Sequence, residues 1–180
     1  MLFIAVLVLD GYLWSAIVSD LKTHAPLTID YLNIGQGDSQ LITLPGGARM
    51  MIDAGPPQGR VADELDQIVG KANGYIDLAI ITHPELDHFG GYIDVLKRYR
   101  IGAVLMTGKE KDTEEWKSFA DELKNSGTPI VLVRAGDAID YGASHADIIS
   151  PDTTFIDSAE TNDAGVTAIS LGRCGRDFVE

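Results

Sequence analysis

Two histidines and two carboxylates lie close together in the stretch Thr82-His83-Pro84-Glu85-Leu86-Asp87-His88-Phe89-Gly90-Gly91. His83, Glu85 and Asp87 alternate and His88 follows directly, so a tight loop can turn these side chains toward one point. Neutral imidazole and carboxylate together suit borderline to hard divalent ions such as Zn, Mn or Fe. The alternative is an exposed polar loop with a capping Asp and solvated histidines. The Thr-His-Pro entry and the Gly-Gly exit favour the metal site.

The segments on either side of this loop place it at the edge of a sheet. Residues 76–81 are mostly apolar and bounded by turn formers, which predicts a buried strand. Residues 92–99 carry apolar side chains at Ile93, Val95 and Leu96, which predicts a helix. Because ligands of α/β proteins usually bind where strands end, the loop is expected at a ligand-binding edge.

Two more motifs precede the loop, Asn33-Ile34-Gly35-Gln36-Gly37-Asp38-Ser39 and Met51-Ile52-Asp53-Ala54-Gly55. In this order the three motifs resemble the metallo-β-lactamase fold, and in particular the metallo-β-lactamase-like domain of ComEC-type DNA-uptake proteins and their stand-alone bacterial relatives. The resemblance covers about residues 27–171. It implies an α/β protein built as an αββα sandwich.

The same resemblance implies a site for one or two divalent metal ions. His83 and Glu85 would hold the first ion, and Asp87 and His88 would hold the second. Asp87 could also orient the attacking water, which makes it a catalytic candidate. Glu85 stands where most of the fold has His, and a carboxylate is a harder ligand, which moves the preference from Zn toward Mn or Mg. Mn and Zn are the ions we expect.

The C-terminal part supplies one further candidate ligand, Asp163, in a segment that resembles an Asn-Asp/Asn-x-Ser motif. Gly165 stands where the family has Ser. The family continues into a strand that ends in Thr-Gly-Asp, whose Asp commonly bridges two metals, whereas this chain has Gly172-Arg173-Cys174 and no Thr-Gly-Asp. We therefore expect a sandwich that is incomplete at the C-terminus, and a truncated or degenerate domain without catalysis stays possible.

Asp38 and Asp53 are both predicted where a strand meets a loop. Aspartate often caps such turns by bonding its own backbone, and this is the alternative role for each residue. The resemblance places the first acidic position near the metals, so Asp38 is a candidate for orienting substrate. It places Asp53 under the site as a structural support.

The resemblance implies a membrane-anchored, metal-dependent hydrolase that cleaves phosphodiester bonds, such as those of DNA, through a metal-bound hydroxide. A bound ion lowers the pKa of its water toward ~7. Hydrolysis of another ester, such as a lactone or thioester, is the alternative. The formal net charge of -13 argues against a non-specific nucleic-acid groove, which needs a basic patch.

Residues 2–18 form a dense apolar run at the short end of a membrane-spanning helix. Asp10 near its middle costs about 2.5–3.5 kcal/mol on insertion scales. The alternatives are an uncleaved anchor, a cleaved signal peptide, or a first buried strand or helix. We predict an anchor or signal-like segment over 1–19, a linker over 20–26 and the domain over 27–180. The resemblance implies that the domain is extracytoplasmic.

The remaining chain is predicted to alternate strands and helices. His145 is placed in a turn, where a lone His is usually a surface residue. Lys97, Arg98 and Arg100 are assigned to the C-terminal end of a helix rather than to a phosphate clamp. The predicted strands are 27–34, 40–44, 48–53, 101–106, 129–133, 137–141, 146–149 and 166–171, and the further helices are 61–69 and 113–125.

Overall fold

A computed structural model describes residues 2–23, 25–71, 74–152 and 165–173. Every strand and helix predicted over residues 27–171 is present, with ends shifted by a few residues, and one short helix is additional. The helices are α1 (Leu2–Thr23), α2 (Val61–Val69), α3 (Leu86–Phe89), α4 (Tyr92–Arg98) and α5 (Glu114–Ser126). The strands are β1 (Thr28–Tyr31), β2 (Gln40–Thr43), β3 (Arg49–Ile52), β4 (Tyr75–Ile80), β5 (Arg100–Met106), β6 (Ile130–Leu132), β7 (Ala138–Tyr141), β8 (Ser144–Ser150) and β9 (Thr167–Arg173).

The larger sheet has six strands in the order β1-β2-β3-β4-β5-β6. Strands β1 to β3 pair antiparallel, and β3 to β6 pair parallel. Parallel pairing brings the C-terminal ends of β3, β4 and β5 to one edge of the sheet. The chain keeps this pairing just beyond the strands, since the Asp53 amide donates to the Ile80 carbonyl at 2.9 Å. The segments that follow these strands therefore lie side by side.

Both faces of this sheet are covered by apolar residues. One face packs against α2, α4 and α5, and its core includes Met51, Val104, Leu65, Phe89 and Phe119. The opposite face packs against the second sheet, whose order is β7-β8-β9. Alternate residues of each strand face alternate layers, which is the side-chain period of a strand. The described residues thus form a helix layer, a sheet and a second sheet.

The turn between α3 and α4 is held close to the end of β3. The Gly91 amide donates to the Gly55 carbonyl at 2.8 Å. A Cβ atom on Gly91 would overlap the Ala54 carbonyl oxygen, and one on Gly90 would overlap the Pro57 ring. Only glycine therefore permits this approach, which explains the Gly-Gly exit of the loop.

His145 lies inside β8, so its prediction as a turn residue is wrong. Pairing between β7 and β8 continues to the Tyr141–Ser144 pair, which leaves only two residues for the turn. Gly142 takes a positive φ of 59°, a conformation that short hairpin turns favour. His145 is consequently opposite Asp140 in the ladder.

Helix α1 carries exposed side chains throughout its described part, residues 4–19. Large apolar residues are among them, and Ile4, Val8 and Trp14 are each more than 60% exposed. In the part of the chain that the structure describes, none of the helices has the length and apolar character that a membrane crossing requires.

Candidate metal centre

The buried carboxylate of Asp53 links the two segments that carry the predicted site. Asp53 directly follows β3, has 2% of its surface exposed and adopts a φ of 53°. Its Oδ1 accepts from the Thr82 backbone amide at 2.9 Å, and its Oδ2 accepts from the Thr82 hydroxyl at 2.6 Å. The same Oδ2 lies 2.7 Å from Nδ1 of His88. Asp53 thus supports the loop from the end of β3, which is the role that the resemblance implies for it.

These contacts determine which nitrogen of each imidazole carries a proton when the ring is neutral. His88 donates from Nδ1 to the Asp53 carboxylate, because an ionised carboxylate can only accept. The Thr82 hydroxyl proton is already given to Asp53, so Thr82 Oγ1 must accept from Nδ1 of His83, 2.9 Å away. In both rings the lone pair is therefore on Nε2. A metal-binding histidine commonly donates its other N–H to such a partner.

The two imidazoles differ in their affinity for protons. Burial lowers the pKa of His83, and the neighbouring His88 lowers it further. The hydrogen bond to Asp53 raises the pKa of His88. The lowered pKa favours the neutral form of His83, which is the form that binds a metal, and the raised pKa favours the protonated form of His88.

The loop backbone brings the two rings into contact at a tilted angle. His88 and Phe89 donate their amides to the Glu85 carbonyl at 2.9 and 3.0 Å, which closes the short helix α3. The Ala54 amide then donates to the His88 carbonyl at 2.7 Å. As a result the ring centroids of His83 and His88 are 3.9 Å apart, with 49° between their planes.

The Asn33–Ser39 motif packs against the loop that carries Asp87. Gly37 has a φ of 87°, and a Cβ atom there would overlap the Asp87 carbonyl oxygen. The exposed Asp38 follows, and its charge is close enough to help raise the pKa of His88. The structure therefore brings Asp38 close to the loop that carries Asp87 and His88.

Glu85 contacts a residue that the sequence did not single out. Its Oε1 lies 2.5 Å from Nζ of Lys111, in the segment between β5 and α5. Both side chains are about one-third exposed, at 30% for Lys111 and 34% for Glu85. Glu85 thus has a cationic protein partner in addition to its place in the predicted ligand set.

The donor chemistry of the loop fits a divalent cation, because two Nε2 lone pairs and the Asp87 carboxylate come from one short segment. Among the described residues, however, no three His, Cys, Asp or Glu side chains are arranged so that they could hold a metal ion. Asp163, the remaining predicted ligand, lies outside the described residues. The described residues supply part of a ligand set.

Three contributors to the site were missed from the sequence. Thr82 joins Asp53 to His83, and its position at the strand end just before His83 was the available signal. Tyr92 is 1% exposed, and its hydroxyl donates to the carbonyls of Met51 on β3 and Ile80 on β4 at 3.0 and 3.1 Å. Lys111 gave no local signal.

Comparison with known structures identifies the fold. The metallo-beta-lactamase SMB-1 is 16% identical over 78% of this chain and 54% of its own, with a TM-score of 0.53. MEM-A1, a subclass B3 metallo-beta-lactamase from a soil metagenome library, is 18% identical over 77% and 52%, with a TM-score of 0.51. The Rm3 metallo-beta-lactamase is 15% identical over 77% and 51%, with a TM-score of 0.51. This chain spans about half the length of these structures. Their similarity to it confirms the predicted α/β fold class.

The sequence itself gives the family. No curated protein matches this sequence significantly. The family model described as the metallo-beta-lactamase superfamily matches residues 32–169, most of the chain and all three motifs around the candidate site. Members of this superfamily bind divalent metal ions. The chain belongs to the metallo-beta-lactamase superfamily.

Proposed function

We propose that this chain is a metal-dependent hydrolase whose ion binds at the loop of His83, Asp87 and His88, which supplies part of the ligand set. The observation that carries the proposal is the network around Asp53, which leaves the lone pair of both neutral imidazoles on Nε2. A hydrogen bond from the other ring nitrogen to a neighbouring group is typical of metal-binding histidines. Glu85 and Asp163 stay predicted ligands that no observation tests.

In this proposal, each residue of the site has a separate role. Asp53 and Thr82 orient the imidazoles, and Tyr92 holds the two strand ends together through their carbonyls. Asp87 would help to hold the ion and would orient the attacking water. Asp38 positions the substrate from the neighbouring loop. A divalent ion supplies Lewis-acid activation of the water and of the bond that is cleaved.

We propose a phosphodiester, such as DNA, as the substrate class. The support is the resemblance of the three motifs to ComEC-type DNA-uptake proteins. Lys111 places one cationic group at the same edge of the strongly acidic chain, which suits an anionic substrate. Hydrolysis of another ester remains the alternative within the same chemistry.

The test is a substrate panel with the full chain loaded with Mn²⁺ or Zn²⁺. We expect cleavage of bis-p-nitrophenyl phosphate and of a single-stranded oligonucleotide, and no cleavage of a thioester or lactone. Asp87→Ala should abolish turnover while circular dichroism stays unchanged. Asp77→Asn is the matched control. Asp77 lies on β4, outside the loop, and its carboxylate accepts from the Arg49 amide of β3. Turnover that persists in Asp87→Ala would contradict the proposal.

A second candidate is a domain that binds metal without catalysis. Its support is that no three-ligand group is formed among the described residues. Stoichiometric metal binding with no turnover of any substrate in the panel would support this candidate.

We further propose that residues 2–18 attach the chain to a membrane, with the domain on the extracytoplasmic side. The support is the exposed apolar surface of α1, which includes Leu7, Leu13 and Trp14. The full chain should float with phospholipid vesicles, and a Leu7→Asp/Leu13→Asp variant should remain in solution. Equal flotation of the two proteins would rule out attachment through this helix.

A further inference from the structure

A cavity of about 660 Å³ opens at the edge of the larger sheet where β4 and β5 begin. This edge is opposite to the one that carries the candidate metal centre, since that loop follows the C-terminal end of β4. Cavities that bind small molecules typically have volumes of about 300–1,000 Å³. The polar side chains that line this cavity are Tyr75, Tyr99, Arg100, Ser126 and Thr128.

Arg100 lies over the ring of Tyr75 in the wall of this cavity. The sequence assigned Arg100 to the end of a helix, but it is the first residue of β5 and the partner of Tyr75 in the ladder with β4. Its guanidinium carbon is 5.8 Å from the ring centroid. Gly102 permits this arrangement, because a Cβ atom there would meet the Tyr75 hydroxyl at 2.6 Å. Contact with an aromatic ring uses the flat face of a guanidinium and leaves its in-plane N–H donors available.

Arg100 differs from the other polar residues of the cavity in having donors to spare. The Tyr99 hydroxyl donates to Asp66 at 2.8 Å. The Ser126 and Thr128 hydroxyls donate to backbone carbonyls at 2.7 and 3.3 Å. In the described part of the chain, no carboxylate forms an ion pair with Arg100, whose recorded contact is the Tyr75 ring. Its guanidinium is therefore available to a bound anion.

We propose that this cavity binds a small phosphate monoester that carries a planar ring, of the class of a nucleoside monophosphate. The fork of N–H donors on Arg100 matches the oxygens of a phosphate group and can hold it through two hydrogen bonds. The ring would lie against the apolar lining, which consists of Leu96, Ile101 and Pro129. This inference does not rest on the proposed function, because the cavity and the loop lie at opposite edges of the sheet.

The test is titration calorimetry of the full chain with adenosine monophosphate in the presence of EDTA, so that no metal ion takes part. We expect the natural chain to bind it. Arg100→Met should raise the Kd about 10- to 100-fold, because charge-assisted hydrogen bonds are lost. Arg134→Met is the matched control, since it removes the same charge from a residue that does not line the cavity. Its Kd should stay within about twofold of the natural value, because solvent screens a distant exposed charge.

A second arm examines the stacking of Arg100 on Tyr75. Tyr75→Phe keeps the ring and should keep the natural affinity. Tyr75→Leu should raise the Kd about two- to fivefold, since it removes the aromatic face that holds the guanidinium. The side chain of Tyr75 is 42% exposed, so both variants should fold, and they test the site should circular dichroism show that Arg100→Met does not.

Three results would overturn the inference: no binding of adenosine monophosphate by the natural chain, equal affinities of the natural chain and a folded Arg100→Met variant, or binding of adenosine as tight as that of its monophosphate. Each of these results would leave metal binding and hydrolysis at the loop standing. Failure of the loop to bind metal would in turn leave the cavity and its ligand unaffected.

Discussion

At the scale of single residues, Asp53 gives one carboxylate to three donors: the Thr82 amide, the Thr82 hydroxyl and Nδ1 of His88. An asparagine there would turn an NH₂ group toward at least one of these donors and lose that bond. Asn also tolerates the positive φ of this position, so the backbone should persist. We predict that Asp53→Asn weakens Mn²⁺ binding about 10- to 100-fold in titration calorimetry.

Asp77→Asn serves again as the control for Asp53→Asn. It also removes a carboxylate that accepts a backbone amide at 2.8 Å, but on β4 away from the imidazoles. It should bind Mn²⁺ as the natural chain does. Equal losses in the two variants would mean that general destabilisation, and not orientation of His88, explains the effect.

At the scale of elements, the distance between α4 and the end of β3 depends on Gly91. A Cβ atom there meets the Ala54 carbonyl and the Val61 side chain, and neither backbone nor packed helix can move aside cheaply. Overpacking of this kind typically costs about 1–3 kcal/mol. We predict that Gly91→Ala lowers the free energy of unfolding by this amount in urea titrations.

Gly11→Ala is the control for Gly91→Ala, because a Cβ atom at Gly11 in α1 meets nothing within 4 Å. It should show no loss of stability, and a gain of up to about 1 kcal/mol is expected because alanine favours a helix more than glycine does. A Gly91→Ala protein as stable as this control would show that the two elements can separate without loss.

The hairpin of β7 and β8 should respond to pH through His145. Its two ring nitrogens lie 2.7 Å from Asp140 and 3.0 Å from Asp147, and both can donate only when the ring is protonated. The hydrogen bond to Asp140, followed by that to Asp147, raises the pKa of His145 above its ordinary 6.5. The stabilisation is therefore complete below pH 6.5 and is lost as pH rises through the raised pKa.

The measurement for His145 is the free energy of unfolding of the natural chain minus that of His145→Gln across this pH range. We predict a difference that is positive in acid, vanishes in alkali and shrinks with added salt, because the three side chains are exposed. A difference that does not change with pH would contradict the bridging imidazolium.

Many of the strands and helices could be predicted from the sequence, and some contacts between them could not. Strands and helices with clear apolar periods, such as residues 61–69 and 76–81, were predicted nearly residue by residue. Helix α3 was missed because four residues are too few to show a helical period. The contacts Thr82–Asp53 and Lys111–Glu85 were missed because they join residues far apart in the chain, and only the pairing of β3, β4 and β5 brings them together.

At the scale of the whole molecule, metal binding should be visible as added stability. An ion that binds only the folded chain stabilises it by about 2.7 kcal/mol at a concentration of 100 times its Kd. We predict an increase of this size in urea titrations with Mn²⁺. The His83→Ala/Asp87→Ala variant should show none. A similar increase in the variant would mean that Mn²⁺ binds to the acidic surface of this chain, whose net charge is -13.

The position of Asp53 at the end of a sheet strand has a consequence for how the site could change over time. The Asp53 carboxylate, which aligns the imidazoles, lies at the end of a strand of the sheet, whereas Glu85 and Asp87 lie in the loop. Residues of the loop can therefore be exchanged one at a time while the alignment of His83 and His88 persists. Such a division lets metal preference and chemistry diverge among descendants of one ancestor without the fold being built anew.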